Sequence, residues 1–150
     1  MTITILTVGV KNTPEFQAAI DDYCNRLPRS VDVQWRLLKP FNSRERSTTV
    51  HKESEKILSC IPDKTYVVLL DERGTQLSNT QLSEMLFSRQ NNICIIIGGA
   101  YGVNQSVHDR SDKVVSLSSL VLPHKLVRLV LAEQIYRSHA IATGHPYHHS

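Results

Sequence analysis

Ile93-Cys94-Ile95-Ile96-Ile97 carries no polar side chain and stops at Gly98-Gly99, with Ala100-Tyr101-Gly102 following. Such a run is what a strand in the middle of a parallel sheet requires, because helices cover both of its faces. The glycines mark where the chain leaves the sheet at the strand's carboxyl end. Open parallel sheets bind ligands in the loops beyond those ends.

Moving outward from this run, strand and helix signals alternate over the whole chain. Upstream, residues 65–71 (Thr-Tyr-Val-Val-Leu-Leu-Asp) predict a buried strand, Asp71-Glu72-Arg73-Gly74 a turn, and residues 78–90 a helix. At the start, residues 2–8 are rich in β-branched side chains and stop at Gly9, which predicts a strand. Thr13-Pro14-Glu15 then opens a helix with a capping threonine, proline at its first position and an acid in the first turn. Phe16, Ala19, Ile20, Tyr23, Cys24 and Leu27 recur along it at the helical period. Residues 31–39 read as a second strand, 40–47 as a loop carrying Arg44 and Arg46, and 47–61 as a polar helix. Downstream come a short helix over 104–110, a strand over 113–117 and a long helix over 123–143, closed by Gly144 and Pro146. This alternation predicts an α/β fold, a parallel sheet flanked by helices. With no repeat, low-complexity tract or Pro/Ser-rich linker, residues 1–150 are expected to form a single domain.

The last helix is apolar around much of its circumference, through Leu126, Val127, Leu129, Val130, Leu131, Ile135, Tyr136 and Ile141. One small sheet offers too little cover for such a helix, so a dimer interface is expected; the alternative is a core helix in a monomer. The formal net charge of +3 and pI near 8.8 permit a nucleic-acid partner without requiring one. Cys24, Cys60 and Cys94 form no CxxC pair and are odd in number, which reads as reduced thiols of an intracellular protein. The amino terminus lacks the features of a signal peptide and no apolar stretch is long enough to span a membrane, so a cytoplasmic location is expected, with no membrane partner.

Three loops at strand carboxyl ends are candidate binding elements: 70–74, 98–102 and 117–124. The glycine segment lacks both the GxGxxG and the Lys-Ser/Thr phosphate signatures. The third loop, Leu117-Ser118-Ser119-Leu120-Val121-Leu122-Pro123-His124, is apolar with two serines, which suits a dry pocket for an adenosine-bearing cofactor or a buried connection. Asp71 and Glu72 end a strand beside Arg73, which favours a salt-bridged turn. Glu133 and Arg137 are spaced to pair along a helix, partly buried on its apolar side. The tail, His145-Pro146-Tyr147-His148-His149-Ser150, matches no zinc spacing, so no metal is expected; it is read as a segment that folds over a pocket.

The stretch from Ile93 to the carboxyl terminus resembles the RlmH family of ribosomal RNA methyltransferases, within the SPOUT class. The residues that carry the likeness are Ile97-Gly98-Gly99-Ala100-Tyr101-Gly102, the segments 117–124 and 127–137, and Gly144-His145-Pro146-Tyr147-His148; Ile3 to Gly9 and 70–74 extend it to the opening of the chain. The resemblance implies a trefoil knot at the carboxyl-terminal end of the sheet, a homodimer, and S-adenosylmethionine as cofactor. It places the cofactor against Leu70, Gly98, Gly99, Leu117, Ser118, Ser119, Leu120, Val121 and Leu122, largely through backbone groups. The implied substrate is a pseudouridine of 23S ribosomal RNA, methylated at N3 on the assembled ribosome. The sequence departs from the family pattern at the variable pair Ala100-Tyr101 and at the ending His149-Ser150.

Methylation at N3 requires that its proton leave. His124, Tyr147 and His148 are the expected bases, and Arg137 the expected cation beside the flanking carbonyl oxygens. Arg44, Arg46, Lys52, Arg110, Lys125 and Arg128 are expected to face RNA across the dimer. Rival readings are a SPOUT enzyme acting on tRNA, a non-catalytic RNA-binding module, and a metal hydrolase using the tail histidines.

Overall fold

A computed structural model describes residues 1–89 and 91–149; Gln90, the expected end of one helix, and Ser150 lie outside them. In chain order the elements are β1 (Thr2–Val8), α1 (Pro14–Asn25), β2 (Asp32–Leu38), α2 (Arg46–Cys60), β3 (Tyr66–Gln76), α3 (Asn79–Phe87), β4 (Ile93–Ile97), α4 (Gln105–Arg110), β5 (Lys113–Ser116) and α5 (His124–Thr143). The strands form one sheet in the order β2-β1-β4-β3-β5, and every pairing is parallel. The apolar run is therefore the central strand, flanked by β1 and β3.

All five residues of β4 are buried. Alternation divides them between two cores. Ile93, Ile95 and Ile97 meet Leu82 and Leu86 of α3 and Leu131 and Ile135 of α5. Cys94 and Ile96 meet Ile57 of α2 and Val107 of α4 on the opposite face. Each buried isoleucine contributes roughly 1.5–3 kcal/mol relative to exposure, so the two-sided covering stabilises the centre of the sheet strongly.

Local signals fix the starts of several helices. Ser78 begins α3 with a reciprocal capping box: its hydroxyl accepts from the Gln81 amide at 3.2 Å, and Gln81 Oε1 accepts from the Ser78 amide at 2.9 Å. Asn104 caps α4 through the Val107 amide. Thr13 occupies the cap position of α1, but its side chain makes no capping bond, so Pro14 carries the start alone. At the far end, Gly144 closes α5 in the left-handed conformation, with φ of 72°.

Two expectations need correction. The segment 71–74 is not a free turn, because β3 continues through it to Gln76 with a register shift against β5 between Leu70 and Thr75. Gly74 makes this possible: a Cβ there would meet the Val114 and Val115 backbone at 2.8 Å. Arg128, expected on an RNA-facing surface, is 2% exposed. Its Nε donates to Thr7 Oγ1 at 3.0 Å, and its Nη1 donates to the Val10 carbonyl at 2.7 Å and to Asn12 Oδ1 at 2.8 Å. The guanidinium thus ties α5 to the end of β1, and polar partners satisfy it where water cannot.

Around α5, Leu131, Ala132, Ile135 and Ala140 are buried, while Leu126, Leu129, Val130 and Ile141 remain half-buried. Replacing Arg128 by alanine should lower stability by about 2–4 kcal/mol, since it leaves a cavity and strips the Val10 carbonyl of its donor. Lysine at that position should restore only part, because one ammonium cannot span the three acceptors as the fork does. Urea unfolding of the two variants measures both.

Candidate active site

The middle of β3 and the carboxyl ends of β4 and β5 open onto a cavity of about 750 Å³. Leu69 to Arg73, Ile97 to Val103, Ser116 to Ser118 and Leu120 to Leu122 line it, with Arg46, His124 and Val127. Of the nine positions expected to meet a cofactor, all but Ser119 are on this wall.

Hydrogen bonds within the loops hold the wall in shape. Beyond β5, the Ser116 hydroxyl donates to the Ser118 carbonyl at 2.8 Å, and Ser118 Oγ accepts from the Leu120 amide at 2.9 Å. This turn presents Leu120 and Val121 at 72% and 83% exposure, far above the norm for side chains of their kind. Beyond β4, the Gly102 amide donates to the Gly99 carbonyl at 3.0 Å, with Gly102 at φ +77°. Gly98 has no room for a side chain, since a Cβ would meet Val103 Cγ1 at 2.9 Å. Gly99 rests against Glu53 Oε1, which occupies the space a Cβ would need.

Glu53 is a residue the sequence reading missed. It lies on α2 at 5% exposure; its Oε2 accepts from the Phe41 amide at 3.0 Å, and its Oε1 has no partner. The available signal was its helical phase, because Thr49, Glu53 and Ile57 are four residues apart and all face inward.

Charged groups line one side of the cavity. Asp71 Oδ1 accepts from the Arg73 amide at 2.9 Å, and its Oδ2 stands 3.6 Å from His108 Nε2. Burial pushes the Asp71 carboxyl up, but the Arg73 hydrogen bonds and the nearby Arg73 and His108 charges outweigh it and hold it below the usual range. His124 opens α5 with Nδ1 buried and unpartnered. Burial first, then the Arg128 charge, pushes its pKa below the ordinary value, against a pull upward from Glu53. His124 is therefore neutral at pH 7.

Arg137, Tyr147 and His148 gather elsewhere, around Glu133. Arg137 Nη2 and Nε donate to Glu133 Oε1 at 2.6 and 2.9 Å, and Tyr147 Oη donates to the same oxygen at 3.1 Å. Arg137 Nη1 lies 3.1 Å from His148 Nδ1, and its guanidinium sits 4.9 Å from the Tyr147 ring centre. The tail is thus packed onto α5 rather than free, and Tyr147 stands edge-on to Tyr136 at 4.7 Å. Burial, with Tyr23 and Glu133 beside it, pushes the Tyr147 hydroxyl up to about 12, so it acts as a donor at neutral pH. None of these three residues lines the cavity of its own chain. Among the described residues, no group of three or more His, Cys, Asp or Glu is placed to hold a metal ion, and no helix is long and apolar enough to cross a membrane.

His124 and His139 both have pKa values lowered chiefly by burial. The unfolded chain therefore takes up these protons first, and stability should fall as pH drops through about 6.5, levelling once the folded-state values are passed. Thermal melts from about pH 7.5 to about pH 5.5 should show this decline, and His139→Asn should flatten it.

A family model described as "Predicted SPOUT methyltransferase" matches residues 1–148. Proteins named "Ribosomal RNA large subunit methyltransferase H" are similar along the whole length. That of Laribacter hongkongensis is 38% identical over 155 residues, and that of Chromobacterium violaceum 36% over 155, each alignment covering 99% of both chains. A Clostridium botulinum protein of the same name is 36% identical over 158 residues, again across 99% of each. Among solved structures, a probable methylase family protein from Haemophilus influenzae Rd KW20 has the same fold, with a TM-score of 0.59 at 14% identity. That match covers 95% of this chain and 66% of the other. With a family model spanning nearly every residue and full-length relatives above 30% identity, the chain belongs to the SPOUT methyltransferase family.

Proposed function

We propose that this chain, as a single cytoplasmic domain acting in a homodimer, methylates N3 of a pseudouridine in 23S ribosomal RNA of the assembled ribosome, using S-adenosylmethionine. The observation that carries the reading is the carboxyl-edge cavity, in a chain whose full-length relatives are named for large-subunit ribosomal RNA methylation. The knotted path of the carboxyl-terminal segment, implied by family likeness, belongs to the same reading.

The cavity suits the cofactor in size and chemistry. Its volume of about 750 Å³ falls in the range typical of small-molecule sites. Leu69, Leu117, Leu122 and Val127 offer apolar wall for a flat ring, and the backbone groups of the 98–102 and 116–122 loops offer polar edges. Asp71 supplies an ionised carboxylate for a cationic ligand. When bound, S-adenosylmethionine presents an electrophilic methyl group on a sulfonium. The chain's own task is to hold the base and take its proton.

His124 is the base we assign. It is neutral at pH 7, lines the cavity and begins a helix, where a fixed backbone orients the ring. With Nδ1 buried, Nε2 remains to accept the N3 proton as the nitrogen lone pair is freed. Arg137 is the cation for charge developing on the flanking carbonyl oxygens. Glu133 orients it, and Tyr147 and His148 flank it. Because this cluster lies off the cavity of its own chain, a second copy must bring it there. The half-buried apolar face of α5 and the exposed Leu120 and Val121 provide surface for that pairing.

Labelled S-adenosylmethionine incubated with ribosomes lacking the modification should place label on one large-subunit nucleotide. Label on bulk tRNA instead, or on no RNA, would defeat the reading. His124→Ala should lower turnover by roughly 10²–10⁴-fold with donor affinity nearly unchanged. Mixing His124→Ala with Arg137→Ala should regain part of the activity, since one intact composite site can form in the mixed dimer. Ribosome binding should weaken steeply as salt rises, and an interaction indifferent to salt would contradict phosphate contacts by Arg44, Arg46, Lys52, Arg110 and Lys125.

A further inference from the structure

A second cavity, of about 350 Å³, opens beside the first and is lined by Phe41, Asn42, Ser43, Arg44, Thr49 and Tyr101. Tyr101 lies on the wall of both, so the two adjoin at this residue. Nothing in the methyl-transfer chemistry uses this cavity. Yet its two aromatic side chains are held out in solvent: Phe41 is 41% exposed and Tyr101 51% exposed. Large apolar side chains kept at a surface beside cationic ones are the arrangement that single-stranded nucleic acids recognise, through stacking and phosphate contacts.

From this juxtaposition we propose that the second cavity is a stacking subsite for an unpaired nucleotide adjoining the target base, its base taken by Phe41 and Tyr101 and its phosphate by Arg44 and Arg46. The subsite rests on the reading of RNA as substrate and names how that RNA is gripped.

The site is built rather than accidental. The Phe41 amide is anchored on Glu53 Oε2 at 3.0 Å, and the other oxygen of that buried carboxylate abuts Gly99. One side chain therefore fixes the Phe41 loop and the glycine loop in register. The Arg46 guanidinium stands 4.3 Å from the Tyr101 ring centre, which holds the ring and extends the stacking surface with a cationic plane. Thr49 closes the floor from the first turns of α2 at 5% exposure. A cavity of this size accommodates one nucleotide, and Tyr101, common to both walls, makes it a neighbour of the cavity that His124 lines.

The test compares two short single-stranded oligoribonucleotides of equal charge around a pseudouridine, one complete and one with a neighbouring base removed. The wild-type chain should bind the complete oligonucleotide about 5- to 150-fold more tightly, the range expected for one stacked base. Phe41→Ala keeps the backbone amide that bonds Glu53, so the loop anchor survives; it should collapse that ratio and raise KM for ribosomes, with kcat at saturation and donor affinity retained. Phe41→Trp should restore the ratio, and its emission should be quenched by the complete oligonucleotide alone. An unchanged ratio in Phe41→Ala, an equal loss for both oligonucleotides, or a change in oligomeric state would overturn the subsite, the last by assigning the surface to a protein interface. Failure of the RNA reading itself would appear differently, as absence of methyl transfer to ribosomes by the wild-type chain.

Discussion

The structure depends on one constraint, the burial of β4 on both faces. A strand of five apolar residues enclosed by α3 and α5 on one side and by α2 and α4 on the other admits no water along its length. Its backbone must pair with β1 and β3, and both pairings are parallel. Parallel pairing brings the carboxyl ends of β4 and β5 to one edge beside the middle of β3, where the loops meet the first turns of α2 and α5. The cavity at that edge lies where open parallel sheets bind their ligands.

Two buried charged residues hold that edge together. Arg128 binds the first turns of α5 to the end of β1 through partners more than a hundred residues away in sequence. Glu53 joins α2, the Phe41 loop and the glycine loop. Among the described residues neither has an opposite charge as its direct partner: neutral groups satisfy Arg128, while Glu53 takes one backbone amide and keeps its other oxygen unpaired. Such groups are costly to bury and are retained where they specify an arrangement rather than add to stability. Here the specified arrangement is the seating of α5 on the end of β1 and of the glycine loop against α2 and the Phe41 loop.

The sequence alone disclosed the parallel sheet, its strands and most helix bounds, because these rest on local period and on short motifs, whereas the eight expected cofactor positions found on the cavity wall came from family likeness. Ser78 with Gln81 signals a helix start within four residues, and the Ile93 run signals two-sided burial without outside help. What escaped depends on contacts distant in the chain. Asp71-Glu72-Arg73-Gly74 has the composition of a turn, yet Gly74 is there to let β3 pass close to β5. Arg128 looks like a surface cation because its partners belong to β1 and the loop after it. His124, Arg137, Tyr147 and His148, grouped in the sequence by the chemistry expected of them, fall in two places: His124 on the cavity wall and the other three in a cluster on Glu133.

The central claim is that the carboxyl-edge cavity receives the methyl donor. An amide NMR titration of the intact chain with S-adenosylmethionine addresses it directly. The account predicts saturable shifts, one donor per chain, concentrated at Leu70, Gly98 to Gly102 and Leu117 to Leu122. Shifts confined to α1 and β2, or none at all, would contradict it.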